Sequence, residues 1–201
     1  IPAGVIGIWK LNESVTGLST FFSKEELNDP AFIKYTHEKR KIEWLATRLL
    51  IRQLTGDDCT ISYLESGKPL LRHNKYRHIS ISHSREFATV ILHEELSVGI
   101  DIEDTTRDFQ RVEKKYLSDD ELAYIKGNHR LQCLFWCAKE AIFKLVDDDG
   151  IDFRKQIHIA ANPQNQNQFS AKFISPEKER SFEIQYDFFD KNCMVWAVSA
   201  Q

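Results

Sequence analysis

The order of predicted elements repeats along the chain, and this repeat restricts the fold more than any other feature of the sequence. Residues 5–11 alternate as a strand, and residues 36–54 keep apolar side chains at helical spacing until Thr55-Gly56 ends the helix. Further strands are predicted at 61–64, 78–82 and 87–92. The second half begins with a strand at 98–102, followed by helices at 108–116, 119–126 and 129–146 and by strands at 156–161, 169–174, 182–186 and 194–198.

Each half of the chain thus contains a first strand, a long helix and several later strands. A chain of 201 residues is long enough for one ordinary domain or for two small lobes. Because the same order of elements occurs twice, we predict two similar lobes that meet near Ser97, comprising residues 1–97 and 98–201.

Composition and charge exclude several classes of protein. The chain is 42% hydrophobic and contains 13 Phe, which is typical of a packed globular protein. Its net charge of −3 gives no overall attraction to nucleic acid or to an anionic membrane surface, so an anionic ligand needs a local basic cluster. No apolar run approaches the roughly 20 residues that span a bilayer, and residues 1–10 lack a basic leader, so we expect a cytoplasmic protein.

The four cysteines are scattered along the sequence. Cys133 and Cys137 are the only close pair, and they lie four residues apart in a predicted helix. This spacing matches neither a disulfide framework nor a zinc knuckle. We therefore expect the cysteines to be small buried hydrophobic residues.

The strand at 98–102 and the residue after it carry the first candidate site. The period of two places Asp101 and Glu103 on one face and the apolar residues on the other. Two carboxylates in one small space repel each other unless a cation or a proton compensates. Oxygen ligands of this kind suit Mg²⁺, although a solvated face of an edge strand explains the pair equally well.

A stripe on the helix at 129–146 favours the metal interpretation. Trp136, Glu140 and Lys144 recur at intervals of four, so their side chains lie along one face. This adds a third carboxylate and a cation that can bind phosphate. An ordinary exposed Glu–Lys pair is the alternative, but a fully solvated face rarely carries Trp.

A second stripe on the helix at 36–54 contains Arg40, Trp44, Arg48 and Arg52. Three cations on one face repel each other, and a phosphorylated ligand would relieve that repulsion through bidentate contacts. Screening by acidic neighbours such as Glu43 and by solvent is the alternative. On its own, the stripe is better explained by this screening than by a bound phosphorylated ligand.

Two short polar segments could also bind an anion. Gly67-Lys68-Pro69 is predicted to be a turn that presents Lys68, and residues 79–84 form a strand that ends at His83 and Ser84. A lone histidine is more often structural than catalytic, and the spacing gives no Ser-His-acid triad. Neither segment identifies a function by itself.

Taken in order, these segments resemble the 4′-phosphopantetheinyl transferase superfamily. The signature of that superfamily is a Gly-Ile/Val-Asp segment followed by a Lys-Glu-x-x-x-Lys helix, matched here by Gly99-Ile100-Asp101 and by residues 139–144. Supporting motifs of its larger, two-lobed surfactin-synthetase-activating type are matched by residues 67–69, by Ile81-Ser82-His83-Ser84 and by Tyr116-Leu117-Ser118 leading to Glu121. The resemblance runs from about residue 40 to residue 144.

The resemblance implies an α+β fold of two similar lobes with pseudo-twofold symmetry, each a long helix on a small, mainly antiparallel sheet. The active site would lie in the cleft between the lobes, and one chain would form a complete cleft as a monomer. The implied activity is Mg²⁺-dependent transfer of 4′-phosphopantetheine from coenzyme A to a serine of an apo acyl or peptidyl carrier protein. Neither nucleic acid nor membrane is an implied partner.

The resemblance also assigns roles to individual residues. Asp101, Glu103 and Glu140 would hold Mg²⁺, which bridges the pyrophosphate of coenzyme A. The catalytic residues would be Asp101, Glu140 and Lys144, with Glu140 deprotonating the carrier serine, directly or through a water, and Lys144 neutralising the phosphoryl group. The residues that contact coenzyme A would be Arg48, Lys68, Ser82, His83, Asp101 and Lys144.

Two other functions remain open from the sequence. A metal-dependent phosphodiesterase could use the same three carboxylates to activate water against a phosphopantetheinyl or nucleotide bond. A non-catalytic coenzyme A-binding module would need neither Mg²⁺ nor turnover. The sequence does not identify the carrier protein, its pathway or the tolerance for acyl-coenzyme A.

Overall fold

The computed structural model describes residues 1–56, 59–146, 148, 150–161 and 168–199. The elements of the first half are β1 (Gly4–Lys10), α1 (Val15–Ser19), α2 (Lys24–Leu27), α3 (Pro30–Ile33), α4 (Glu38–Thr55), β2 (Thr60–Tyr63), β3 (Pro69–Arg72), β4 (His78–His83) and β5 (Phe87–His93). Those of the second half are β6 (Val98–Asp104), α5 (Glu113–Tyr116), α6 (Asp119–Ile125), α7 (His129–Val146), α8 (Phe153–Gln156), β7 (Ile157–Ala161), β8 (Gln168–Ile174), β9 (Glu179–Phe189) and β10 (Asn192–Val198).

The two halves share a strand topology. In each half the first strand pairs antiparallel with the last, β1 with β5 and β6 with β10. The last strand also pairs with the strand before it, β4 or β9. The complete sheets have the orders β1-β5-β4 and β6-β10-β9-β8-β7, and β2 and β3 form a separate hairpin. The predicted α+β class is confirmed, and β6, which opens the second half, begins at Val98.

Helix α4 covers the sheet of the first half. Its apolar residues Leu50 and Ile51 pack in one cluster with Val90 and Leu92 of β5. The helix ends at Gly56, whose φ of 76° lies in the left-handed region that glycine adopts without steric cost. The predicted end of this helix is therefore confirmed.

Helix α7 covers the sheet of the second half and approaches β6 at Gly99. A Cβ atom on Gly99 would lie 1.9 Å from the carbonyl oxygen of Ala141, so only glycine allows this contact. The close approach places the carboxyl-terminal part of α7, with Glu140 and Lys144, over the part of β6 that carries Asp101.

Serine side chains join the two sheets at their edges. Strand β4 is an edge strand of the first sheet and β6 is an edge strand of the second, and these two edges face each other. Ser80 Oγ accepts a hydrogen bond from the Ile100 amide at 3.2 Å, and Ser82 Oγ accepts one from the Ile102 amide at 3.3 Å. These bonds satisfy amide groups that an edge strand would otherwise leave unpaired in a buried position.

Some predicted and observed elements differ. The predicted helix at 108–116 is limited to Glu113–Tyr116, because Asp108 Oδ1 accepts a hydrogen bond from the Gln110 amide and forms a local turn instead. Helices α1 to α3 were not predicted, since four or five residues are too few to show a helical period. Within the described residues, no helix combines the length and the apolar character needed to cross a membrane.

Candidate active site

Asp101 lies at the centre of the candidate site and is 5% exposed. Its Oδ1 accepts hydrogen bonds from Ser82 Oγ at 2.7 Å and from Lys144 Nζ at 2.8 Å. Lys144 Nζ also donates to the Ile100 carbonyl at 2.9 Å, which fixes it against β6. Oδ2 of Asp101 is buried and has no hydrogen-bond partner among the described residues. An unsatisfied carboxylate oxygen is costly, so this atom is a natural ligand for a cation.

Glu103 and Glu140 are half-buried beside Asp101 and have perturbed acidities. Burial raises the pKa of Glu103 to about 7, although the ion pair with Arg107 opposes the rise. Burial and then the charge of Asp101 raise the pKa of Glu140 to about 7, against the opposing effect of Lys144. Two carboxyl groups with a raised pKa beside a third carboxylate are typical of a site that takes a cation.

The three carboxylates are not assembled as a closed ligand set. In the part of the chain that the structure describes, only three cysteines have ligand atoms that all lie within 4.8 Å of one another. Lys144 pairs with Asp101 and Arg107 pairs with Glu103, so side chains supply the positive charge. The residues nevertheless fit Mg²⁺, which takes oxygen ligands and is usually held by one or two carboxylates plus substrate phosphates.

Lys68 and Lys144 line a common cavity of about 330 Å³. Lys68 lies in the loop of residues 64–68 between β2 and β3, whereas Lys144 lies on α7, so both halves of the chain contribute a cation. The exposed ring of Phe143 and the side chain of Ile79 provide apolar walls. Such a cavity can hold the anionic and the apolar parts of one extended ligand.

Arg48 and His83 line a second, smaller cavity of about 70 Å³ with Trp44. The guanidinium carbon of Arg48 lies 3.4 Å from the centroid of the Trp44 ring, a stacking contact that holds the cation in place. His83 Nε2 lies 2.7 Å from Thr47 Oγ1. The Thr47 hydroxyl donates to the Glu43 carbonyl, so His83 Nε2 carries a proton and donates to Thr47.

His83 is neutral in this arrangement, because burial and then the nearby charge of Lys144 lower its pKa to about 4. Its ring also lines the cavity that contains Tyr63 and Leu64 and the cleft that contains Arg85 and Glu103. His83 therefore lies where three adjoining spaces meet. An anion in any of them would favour the protonated ring.

The arginine stripe on α4 separates into residues with different partners. Arg40 donates to the carboxylate of Glu43 at 2.9 Å, as the screening alternative predicts. Arg52 pairs with Glu26 of α2. Arg48, stacked on Trp44, lines the cavity beside His83, as does Arg40, whose charge is shared with Glu43.

Several residues of the site could not be found from the sequence. Arg107 follows β6 in an irregular turn, where no period indicates its direction. Lys139 is fully buried and donates to Glu121 Oε2 at 2.7 Å, which ties α7 to the first turn of α6. Ser118 and Glu121 form a capping box at the start of α6, which their spacing in the sequence indicates, but the link of Glu121 to Lys139 depends on tertiary packing.

Comparison with protein families adds an independent finding. Residues 97–196 match the model of the 4′-phosphopantetheinyl transferase superfamily. The second half of the chain is therefore similar to the 4′-phosphopantetheinyl transferase superfamily. No curated protein matches the chain. The matched residues begin one position before β6 and contain Asp101, Glu103, Glu140 and Lys144.

The superfamily carries out phosphopantetheinyl transfer in general, using coenzyme A and acting on carrier proteins. The solvated edge strand that explained the Asp101 and Glu103 pair equally well in the sequence is not what the structure shows, since Asp101 is buried and Glu103 is half-buried. Strand β6 is instead buried between α7 and the first half of the chain.

Proposed function

We propose that this chain transfers the 4′-phosphopantetheine group of coenzyme A to a serine of an apo acyl or peptidyl carrier protein in an Mg²⁺-dependent reaction. The observation that carries the proposal is the environment of Asp101. One carboxylate oxygen is held by Ser82 and Lys144, while the other is buried without a partner. The charge of Asp101 also helps to raise the pKa of two further carboxyl groups, those of Glu103 and Glu140.

Mg²⁺ would be held by Asp101, Glu103 and Glu140. When bound, it supplies positive charge that neutralises the pyrophosphate of coenzyme A as the leaving group departs. Asp101 is already fixed by two hydrogen bonds, and Oε1 of Glu103 accepts a hydrogen bond from Arg107. Arg107 therefore lies beside the proposed metal site.

Three cations around the site, Lys68, Lys144 and Arg48, provide contacts for the remaining phosphates. Lys68 and Lys144 line one cavity, and Arg48 lines the next with the neutral ring of His83, whose protonation a bound anion would favour, so an extended nucleotide can contact all four. Ser82 does not face these cavities in the same way, since its hydroxyl donates to Asp101 and accepts from β6. We therefore assign Ser82 the role of positioning Asp101.

Glu140 is the proposed general base. Burial and the charge of Asp101 raise the pKa of Glu140 to about 7 without metal, and a bound Mg²⁺ would lower it, so that the ionised carboxylate is available to accept a proton near neutral pH. Glu140 takes the proton of the carrier serine, and the serine oxygen bonds to the β-phosphorus of coenzyme A. The bond from that phosphorus to the bridging oxygen breaks, and adenosine 3′,5′-bisphosphate leaves. Lys144 stabilises the charge that grows on the phosphoryl oxygens.

We further propose that the chain is of the two-lobed, surfactin-synthetase-activating type and acts as a cytoplasmic monomer, with lobes at residues 1–97 and 98–201. The support is that both halves contribute to one site. Lys68, Ser82 and His83 come from the first half, and Asp101 and Glu140 from the second. A single chain therefore carries the whole set of proposed residues.

Incubation with coenzyme A, Mg²⁺ and a panel of apo carrier proteins tests the proposal. We expect one carrier to gain the mass of phosphopantetheine while an equal amount of adenosine 3′,5′-bisphosphate forms. Nucleotide release without carrier modification would favour the phosphodiesterase instead. Binding of coenzyme A without formation of either product would indicate a non-catalytic coenzyme A-binding module. Glu179→Gln, an exposed carboxylate paired with Lys172, is a control that should retain full activity.

A further inference from the structure

Three cysteines from two distant segments of the sequence lie together in the core of the second half. Cys133 and Cys137 are one helical turn apart on α7, and Cys193 is on β10. All three are 0% exposed. Their sulfur atoms lie within 4.8 Å of one another, and among the described residues no other group of His, Cys, Asp and Glu side chains meets this criterion. None of them has a role in the proposed transfer reaction.

We propose that these three thiols form a binding site for a soft, thiophilic metal ion of the Cu(I) class, distinct from the carboxylate site for Mg²⁺. Sulfur ligands without any oxygen or nitrogen select soft ions. A structural zinc site has four ligands, and this cluster offers three. A monovalent ion that accepts three sulfur ligands fits the cluster better.

The geometry requires only a small contraction. A metal ion bound at about 2.3 Å from each of three sulfur atoms places those atoms about 4 Å apart. The sulfur atoms already lie within 4.8 Å of one another, so α7 and β10 need to move together by less than about 1 Å to bind the ion. The thiol of Cys137 already points to β10, since its sulfur lies 3.6 Å from the carbonyl oxygen of Cys193.

Binding releases the thiol protons to solvent, one for each sulfur that becomes a ligand, and involves no change of oxidation state. Because the cluster is buried, the ion must enter through local opening. Cys133 lies four residues after the start of α7, where fraying of the first turn gives access. We therefore expect the metal ion to bind slowly but to reach one ion per chain.

The cluster is also close to the carboxylate site. Cys193 is directly opposite Glu103 in the β6–β10 register, so the two side chains share a face of the sheet. Cys137 is three residues before Glu140, almost one turn of α7 away. A metal ion that draws α7 and β10 together thus acts beside two of the three carboxylates.

Anaerobic titration of the reduced protein with Cu(I), supplied as a weakly held complex, tests the site. We expect one Cu(I) per chain, metal–thiolate charge-transfer absorbance, and an affinity that excess Mg²⁺ does not change. Single Ala variants of the three cysteines should each lower the Cu(I) affinity by at least about 10- to 100-fold. Cys59→Ala, which removes the cysteine outside the cluster, should bind like the wild type.

The proposal is overturned if the wild type binds no stoichiometric Cu(I), if the cluster variants bind like Cys59→Ala, or if Zn²⁺ binds more tightly than Cu(I). X-ray absorption of the wild-type complex gives a measurement that does not depend on the folding of any variant. Three sulfur neighbours and no nitrogen or oxygen neighbours are expected. A first shell with fewer than three sulfurs would also refute the site. None of these results depends on transferase activity.

Discussion

Glu140→Gln should make the protein more stable in the absence of metal while removing its activity. Burial and the charge of Asp101 raise the pKa of Glu140 from 4.5 to about 7. The folded protein therefore binds this proton more tightly than the unfolded chain, and the free energy of unfolding falls as the pH rises from about 4.5 to about 7. Above that range the ionised carboxylate destabilises the fold. Gln keeps the shape and removes the charge.

The size of the effect follows from the pKa. Each pKa unit corresponds to about 1.4 kcal/mol, so the full cost of the ionised group at pH 8 is about 3 kcal/mol. Glu140 is only half-buried, so solvent screening reduces this, and we expect a gain of about 1–2 kcal/mol for the variant. For a chain of this size that gain raises the Tm by about 3–6 °C.

Thermal unfolding of both proteins in EDTA between pH 5 and pH 8 measures the difference. The increase in Tm should be largest at pH 8 and should shrink to less than about 1 kcal/mol at pH 5. Glu179→Gln, which changes an exposed carboxylate, should show no such dependence. The claim that ionised Glu140 destabilises the fold would be refuted if the Glu140→Gln variant were less stable than the wild type at pH 8. It would also be refuted if the difference in Tm between the two proteins were the same at pH 5 and at pH 8.

Three further predictions concern the contacts around the site. Gly99→Ala should lower stability by about 1–3 kcal/mol and reduce kcat, because its Cβ meets the backbone of α7; an unchanged Tm would contradict this contact. Lys139→Met leaves Glu121 buried without its partner and should cost about 3–5 kcal/mol in urea unfolding, whereas a loss below 1 kcal/mol would mean that the pair is exposed to water. Arg48→Ala and Lys68→Ala should mainly raise the KM for coenzyme A, and steady-state kinetics with unchanged KM in both variants would remove them from the phosphate contacts.

The long elements could be predicted from the sequence because their periods are clear. Residues 129–146 match the bounds of α7, and the alternation at 98–103 correctly separates the apolar face of β6 from Asp101. The pattern could not show that both faces of β6 are buried, since this depends on the first half of the chain packing against it. Strand β3 and helices α1 to α3 are too short to give a periodic signal.

The site was predictable where the residues share one element and unpredictable where they meet through packing. The spacing of Glu140 and Lys144 places them together on α7, as observed. The contact of Lys144 with Asp101 joins residues 43 positions apart. Arg107, in an irregular turn, and Cys193, on a distant strand, reach their partners only in the folded chain.

The mass of one apo carrier protein after incubation with coenzyme A tests the central claim most directly, when it is measured with Mg²⁺ and with EDTA for the wild type and for Asp101→Asn. The account predicts the phosphopantetheine adduct only for the wild type with Mg²⁺, because Asn cannot supply the charge that the buried Oδ2 of Asp101 offers to a cation. Equal modification in EDTA, or by a folded Asp101→Asn variant, would contradict it.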